Sequence, residues 1–201
     1  MVLSGFVCAD FIIAAAIYLV FLAWYEGWPR RPLSPAEVET YYARMKAQRA
    51  PQGEMAVALL ERFRAFAASD DGGEFHMVNL LRWSRADVNS EAHKRYMRAW
   101  SKVAVPRASH PIYRGQVAGK VQGALEDRLW DEVALMRYRS RRDLMKIVTS
   151  EGFAREANQK GIAVEYTDAY PATPKILLGS PRVLVFLVLL VIALTLAVLF
   201  G

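Results

Sequence analysis

Cysteine, histidine and terminal charge are what this chain has least of. One cysteine in 201 residues, Cys8, excludes an internal disulfide and a cysteine-ligated zinc site. The three histidines, His76, His93 and His110, stand in no H-x-x-H or His-carboxylate spacing, so no metal site is expected. The chain also lacks a glycine-rich phosphate loop and a nucleophile elbow. Charge is missing from both ends. All 26 Lys and Arg lie between Arg30 and Arg182, and of the 20 acidic residues all but Asp10 lie between Glu26 and Asp168. The overall net charge of +6 and the 54% hydrophobic content are therefore averages of a basic middle and two apolar termini. That division excludes a plain cytosolic enzyme, a disordered tail and a disulfide-stapled secreted domain.

The C-terminal run VLVFLVLLVIALTLAVLFG, from Val183 to Gly201, carries no charge and is built mainly from Leu, Val, Ile and Phe. Each such residue favours insertion by roughly 0.3 to 0.6 kcal/mol near the bilayer centre, so the run predicts a transmembrane helix. The N-terminal run is interrupted by Asp10. An aspartate at mid-bilayer costs about 2.5 to 3.5 kcal/mol. The apolar residues between Phe11 and Leu22 offset roughly that much, and Asp10 lies toward one end. No basic residues precede this run and no small-residue cleavage site follows it, so it does not read as a signal peptide. Trp24, Tyr25 and Trp28 form an interfacial aromatic cluster, followed by Arg30 and Arg31, and the second run is preceded by Lys175 and Arg182. Both flanks place positive charge on the same side. The expected topology is two-pass in a bacterial inner membrane, with a cytoplasmic middle and both termini outside. Asp10 reads either as a residue near the outer interface or as a polar contact to another transmembrane helix, which Gly5, Ala9 and Ala14 to Ala16 would let approach closely.

The organisation follows as an N-terminal transmembrane helix (1–28), a helical linker or stalk (29–73), an α+β domain (74–174) and a C-terminal transmembrane helix (175–201). In the linker, Ser34, Pro35 and Glu37 read as an N-cap, a proline at N1 and a capping-box acid. A second helix is expected from about Glu54 to Ala68, with Met55, Leu59, Leu60, Phe63 and Phe66 on an apolar stripe, stopped by Asp70 to Gly73. From Phe75 a β-α-β pattern appears twice. The first copy is FHMVNLLRW (75–83), a helix from about Ser90 to Val105, and the strand IYRGQVAGKV (112–121). The second is WDEVALMRYRS (130–140), a helix from Arg141 interrupted near Gly152, and AVEYTDAY (163–170), with Ser140 and Asp143 as a helix cap. Such a repeat gives an antiparallel ferredoxin-like sheet with both helices on one face. Its other face stays apolar and uncovered, and pairing with a second copy is the simplest remedy.

The strand MVNLLRW, the helix EAHKRYMRAW, the strand IYRGQVAGKV and the phrase RYRSRRDLMKIVTSEGF together resemble the dimeric α+β barrel superfamily over about residues 75 to 174. Within it the likeness is closest to small domains of unknown function. The superfamily also includes haem-degrading monooxygenases, cofactor-free quinone-forming monooxygenases and isomerases. Its haem-degrading members carry an Asn on the first strand, matched in position by Asn79. They also use a His and a Trp at set places, which His76, His93 and His110 with Trp83, Trp100 and Trp130 do not match in spacing. No cofactor is expected.

Alternation places Met77, Asn79 and Leu81 on one face of the first strand and His76, Val78, Leu80 and Arg82 on the other. Asn79 reads either as a hydrogen-bonding group in a cavity or as a side chain that satisfies neighbouring backbone. His93 is expected to face solvent, and His110 reads as a turn residue or a general base. Convergence of Asn79, His110, Arg114 and Tyr138 on one apolar pocket would favour an enzyme acting on a lipophilic aromatic, quinone-like or haem substrate. Their dispersal would favour a non-catalytic binding or assembly module, an accessory subunit of an inner-membrane complex. Arg137, Arg139, Arg141 and Arg142 are interleaved with acids, so nucleic acid is not an expected partner. Anionic lipid headgroups, other integral membrane subunits or a second copy of the chain are.

Overall fold

The computed structural model describes residues 3–49, 54–84, 91–122, 130–156, 160, 163–177 and 179–200. The chain forms two compact units, one from its two ends (1–29 with 174–201) and one from its middle (30–173).

The terminal unit contains helix α1 (Leu3–Glu26) and the last helix, Pro181–Phe200. Both are long and apolar enough to cross a membrane, with mean hydropathies of 1.6 over Ala9–Glu26 and 3.4 over Pro181–Phe200. They pack against each other through Tyr18 and Phe186, whose rings lie 5.5 Å apart. At one end Arg182 pairs with the buried Glu26 and lies 5.0 Å over the ring of Tyr25, while its backbone N–H donates to Ser180 Oγ. The outward surface of both helices is apolar: Ile12, Val20, Leu184 and Val198 are all exposed. Asp10 is half-buried on α1.

The middle unit opens with α2 (Pro35–Arg49) and α3 (Glu54–Ala68). The capping box forms as the spacing predicts: Ser34 N–H donates to Glu37 Oε2 at 2.9 Å and Glu37 N–H donates to Ser34 Oγ at 3.3 Å. On α3, Leu60 is buried and Phe63 and Phe66 are partly buried, but Leu59 faces solvent, and the Met55 side chain lies outside the described residues. The expected separate stalk is not what forms. Leu33, Val38, Met45, Leu60 and Ala67 share one hydrophobic core with Phe75, Trp100 and Leu144, so α2 and α3 belong to the α+β body. The joint is tight at Gly72, whose φ is +73°, where a Cβ would come within 3.2 Å of the Pro32 nitrogen. Asp70 Oδ2 accepts the Leu33 N–H at 2.9 Å across the same junction.

The sheet consists of β1 (Phe75–Trp83), β2 (His110–Gln116), β3 (Glu132–Tyr138) and β4 (Val164–Ala172), in the order β2-β3-β1-β4, with every neighbouring pair antiparallel. Helix α4 (Glu91–Ala104) joins β1 to β2, and its expected start, Ser90, lies outside the described residues. The second crossover contains α5 (Arg141–Val148) and α6 (Glu151–Glu156), and the last helix of the chain is α7. Ser140 Oγ accepts the Asp143 N–H at 3.1 Å and starts α5. The break falls at Thr149 and Ser150, just before Gly152. Thr149 Oγ1 donates to Met145 O, and Ser150 Oγ donates to Ile147 O, so both hydroxyls serve the end of α5. On α5, Leu144, Met145, Ile147 and Val148 are all buried, each side chain contributing about 1.5 to 3 kcal/mol of burial.

The arginine cluster is paired within this body. Arg137 is fully buried and paired with Glu74 at 2.6 Å, and Arg139 pairs with Asp143 at 2.6 Å. Arg141 pairs with Asp71 at 2.9 Å, and Arg142 reaches Glu37 on α2. Each guanidinium thus spends its charge on a carboxylate brought close by the fold.

Candidate functional site: an aromatic cavity between sheet and helix

One face of the sheet carries Phe75, Met77, Asn79, Leu81 and Trp83 of β1 and, opposite them in register, Glu132, Ala134, Met136 and Tyr138 of β3. Over this face lies α4, which presents His93, Tyr96, Met97 and Trp100, the i, i+3, i+4, i+7 stripe of one helical side. Between the two lies a cavity of about 190 Å³, completed by Pro111 and Arg114 of β2, by Val164 and by Lys160.

The two ends of the cavity differ. At one end Trp100 Nε1 donates to Tyr138 Oη at 3.2 Å, and the Tyr138 ring stacks on Phe75 at 5.2 Å with an interplanar angle of 12°. Burial pushes the Tyr138 hydroxyl up to about 12, opposed by the Trp100 hydrogen bond, so the phenol stays neutral. The other end is polar. Arg114 donates from Nε to Glu132 Oε1 at 2.6 Å and from Nη2 to Glu132 Oε2 at 2.9 Å, a two-pronged pair, and its guanidinium lies 5.9 Å from the Trp83 ring centre. His93 meets the same Trp83 ring edge-on at 4.7 Å. Burial, with the positive charge of Arg114 added and the carboxylate of Glu132 opposing, lowers the His93 imidazole below its ordinary value of 6.5.

Three of the four sequence candidates line this cavity: Asn79, Arg114 and Tyr138. Asn79 also satisfies backbone, its Nδ2 donating to Met77 O at 3.1 Å and to Ala134 O at 3.2 Å. His110 stands elsewhere. It starts β2 beside the buried Arg137, with its Nδ1 3.0 Å from Pro111 O, and is no base for this cavity. His93, expected in solvent, lines the cavity instead. The missed signal was its spacing, four residues before Met97 and seven before Trp100. Among the described residues no three His, Cys, Asp or Glu side chains converge on a point that could hold a metal ion.

No family model and no curated protein matches the chain. Solved structures do. A protein of unknown function from Rhodopseudomonas palustris is 24% identical, with a TM-score of 0.51 over 58% of this chain and 94% of that one. A dabb family protein with a ferredoxin-like fold from Mesorhizobium loti is 10% identical, with a TM-score of 0.36 over 51% and 97% of the two chains. A hydroxynitrile lyase from Passiflora edulis is 12% identical, with a TM-score of 0.37 over 53% and 98%. The likeness is one of fold. The middle unit is a ferredoxin-like α+β domain, and its strand order carries that statement.

Proposed function

We propose that this protein is a membrane-anchored binding module that takes a small lipophilic, ring-bearing molecule into the cavity beneath α4. One observation carries the reading: the cavity walls are built from the flat faces and edges of Trp83, Tyr96, Trp100 and Tyr138 around an apolar floor. A dry cavity of about 150 Å³ is enough for benzene. The volume here suits a single ring with a small substituent. The two apolar helices hold the domain at a bacterial inner membrane, with the basic domain cytoplasmic and both termini outside. In this reading the protein works as an accessory subunit, and Asp10 contacts a helix of another membrane subunit.

The far side of the sheet bears on self-association. Val78, Leu80, Val133 and Leu135 stand there half-exposed, and Tyr166 and Tyr170 are exposed. A second copy, sheet against sheet about a twofold axis, covers this face with its own equivalent residues. A second reading of the cavity, an oxygenase or isomerase acting on the bound ring, draws on the neutral imidazole of His93 beside Arg114.

The experiment is a thermal-shift titration of the full chain in detergent with toluene and indole, set beside Ala134→Phe, which fills the cavity. Stabilisation of the parent protein but not of the variant supports the reading. Equal stabilisation of both would place the ligands in the micelle and defeat it.

A further inference from the structure

The polar end of the cavity specifies more than a ring. Among the described residues the ionised groups in its walls are two cations, Arg114 and Lys160, against one carboxylate, Glu132. Glu132 is nearly buried and occupies only the Nε and Nη2 edge of the Arg114 fork. The Arg114 side chain is 53% exposed, so the guanidinium keeps contact with water, and among the described residues its Nη1 edge has no acceptor. Lys160 is held 3.4 Å from Thr167 Oγ1 on β4. The aromatic walls end at the same place: Trp83 lies under the guanidinium and against His93. A ring seated between Trp83 and Trp100 therefore directs a substituent at a fixed, planar hydrogen-bond donor in a surround with excess positive charge. Planar, two-oxygen anions match the geometry of such a fork better than a point acceptor does.

We propose that the cavity is a receptor for a small aromatic carboxylate, its ring in the aromatic walls and its carboxylate on the Nη1 edge of Arg114. This rests on the binding reading above and adds the ligand's charge to it. His93, uncharged, lines the same end of the cavity without adding a third cation.

The test uses the full chain in detergent and three single-ring probes at neutral pH: benzoate, its neutral isostere benzamide, and toluene. Binding is followed by the indole N–H resonances of Trp83 and Trp100. The charge-assisted contact of a carboxylate with a guanidinium is stronger than that of a neutral amide, so benzoate should bind at least about tenfold more tightly than benzamide. The double variant Arg114→Gln/Glu132→Gln removes both charges and leaves an amide pair that can hydrogen-bond in place of the ion pair. It should bring benzoate to within about twofold of benzamide. If benzamide or toluene binds the parent protein as tightly as benzoate, the carboxylate assignment is overturned while the ring site stands. If the double variant keeps the full preference, Arg114 is not the contact. If no probe moves either indole, the binding reading itself fails.

Discussion

Trp100 donates its indole N–H to the hydroxyl of Tyr138 at 3.2 Å, and this contact ties α4 to β3 at the apolar end of the cavity. Both residues are buried, so the bond is the partner of an otherwise dry donor. Tyr138→Phe should therefore destabilise the domain by about 1 to 3 kcal/mol, the cost of an orphaned buried N–H. Chemical unfolding followed by tryptophan fluorescence measures it. The same residue sets an alkaline limit. Its folded pKa is raised from 10.0 to about 12. The folded state therefore holds the proton more tightly, and the stabilisation is present in full below pH 10 and lost as pH rises toward 12. The Phe variant should lack that alkaline component.

His93 titrates in the opposite sense. Its pKa lies below 6.5 because burial and Arg114 disfavour the imidazolium. The stability contribution is present above 6.5 and is lost as pH falls through the folded value. An NMR titration of the imidazole should show a neutral ring at pH 7. Arg114→Gln should move its midpoint upward, since a cation is removed from beside it.

Glu37 joins the helical hairpin to the domain. Its carboxyl is held down from 4.5 to about 2, first by the hydrogen bonds from Arg142 and then by the Ser34 backbone N–H. A depressed carboxyl stabilises the fold above pH 4.5, and that contribution disappears as pH falls from there toward 2. Glu37→Gln should lower the melting temperature at pH 7 and flatten the loss of stability on acidification. Thermal unfolding at pH 7 and pH 3 reads both effects.

The membrane arrangement is tested by the chain's own chemistry. The proposed topology, with both termini outside, would put Cys8, the single thiol, on the side opposite the basic domain. A membrane-impermeant maleimide added to spheroplasts should react with Cys8 and leave a Gln48→Cys reporter, in a Cys8→Ser background, untouched until the membrane is opened. The reverse pattern overturns the topology. Light scattering of the detergent-solubilised chain should give a dimer, and substituting Leu80→Glu on the uncovered sheet face should give a monomer.

The strands were legible because each is short, alternates and is bounded by turn residues. Phe75–Trp83 is the strand that the pattern predicts, and Ser34 and Ser140 cap their helices as their spacing implies. Two things were hidden because they depend on contacts far apart in sequence. The α2–α3 hairpin looked like a stalk, since nothing local shows that Met45 and Leu60 pack into the core holding Phe75 and Leu144. The partners of Arg137, Arg141 and Arg142 were not legible, since Glu74, Asp71 and Glu37 all precede the first strand, whereas Arg139 pairs locally with Asp143. Half of the cavity followed from strand alternation, which grouped Asn79 with its neighbours on one face. The other half, His93 on α4, required recognising that the helical stripe of Tyr96, Met97 and Trp100 includes it.

The most direct measurement is the indole N–H spectrum of the full chain, which has five tryptophans, on addition of a single-ring ligand. Trp83 and Trp100 line the cavity, while Trp24 and Trp28 lie at the end of the first apolar helix. The expected result is a saturable shift of the Trp83 and Trp100 resonances, abolished by Ala134→Phe, with Trp24 and Trp28 unmoved. Shifts confined to Trp24 and Trp28, or no saturable shift at Trp83 and Trp100, would contradict a ligand-binding cavity under α4.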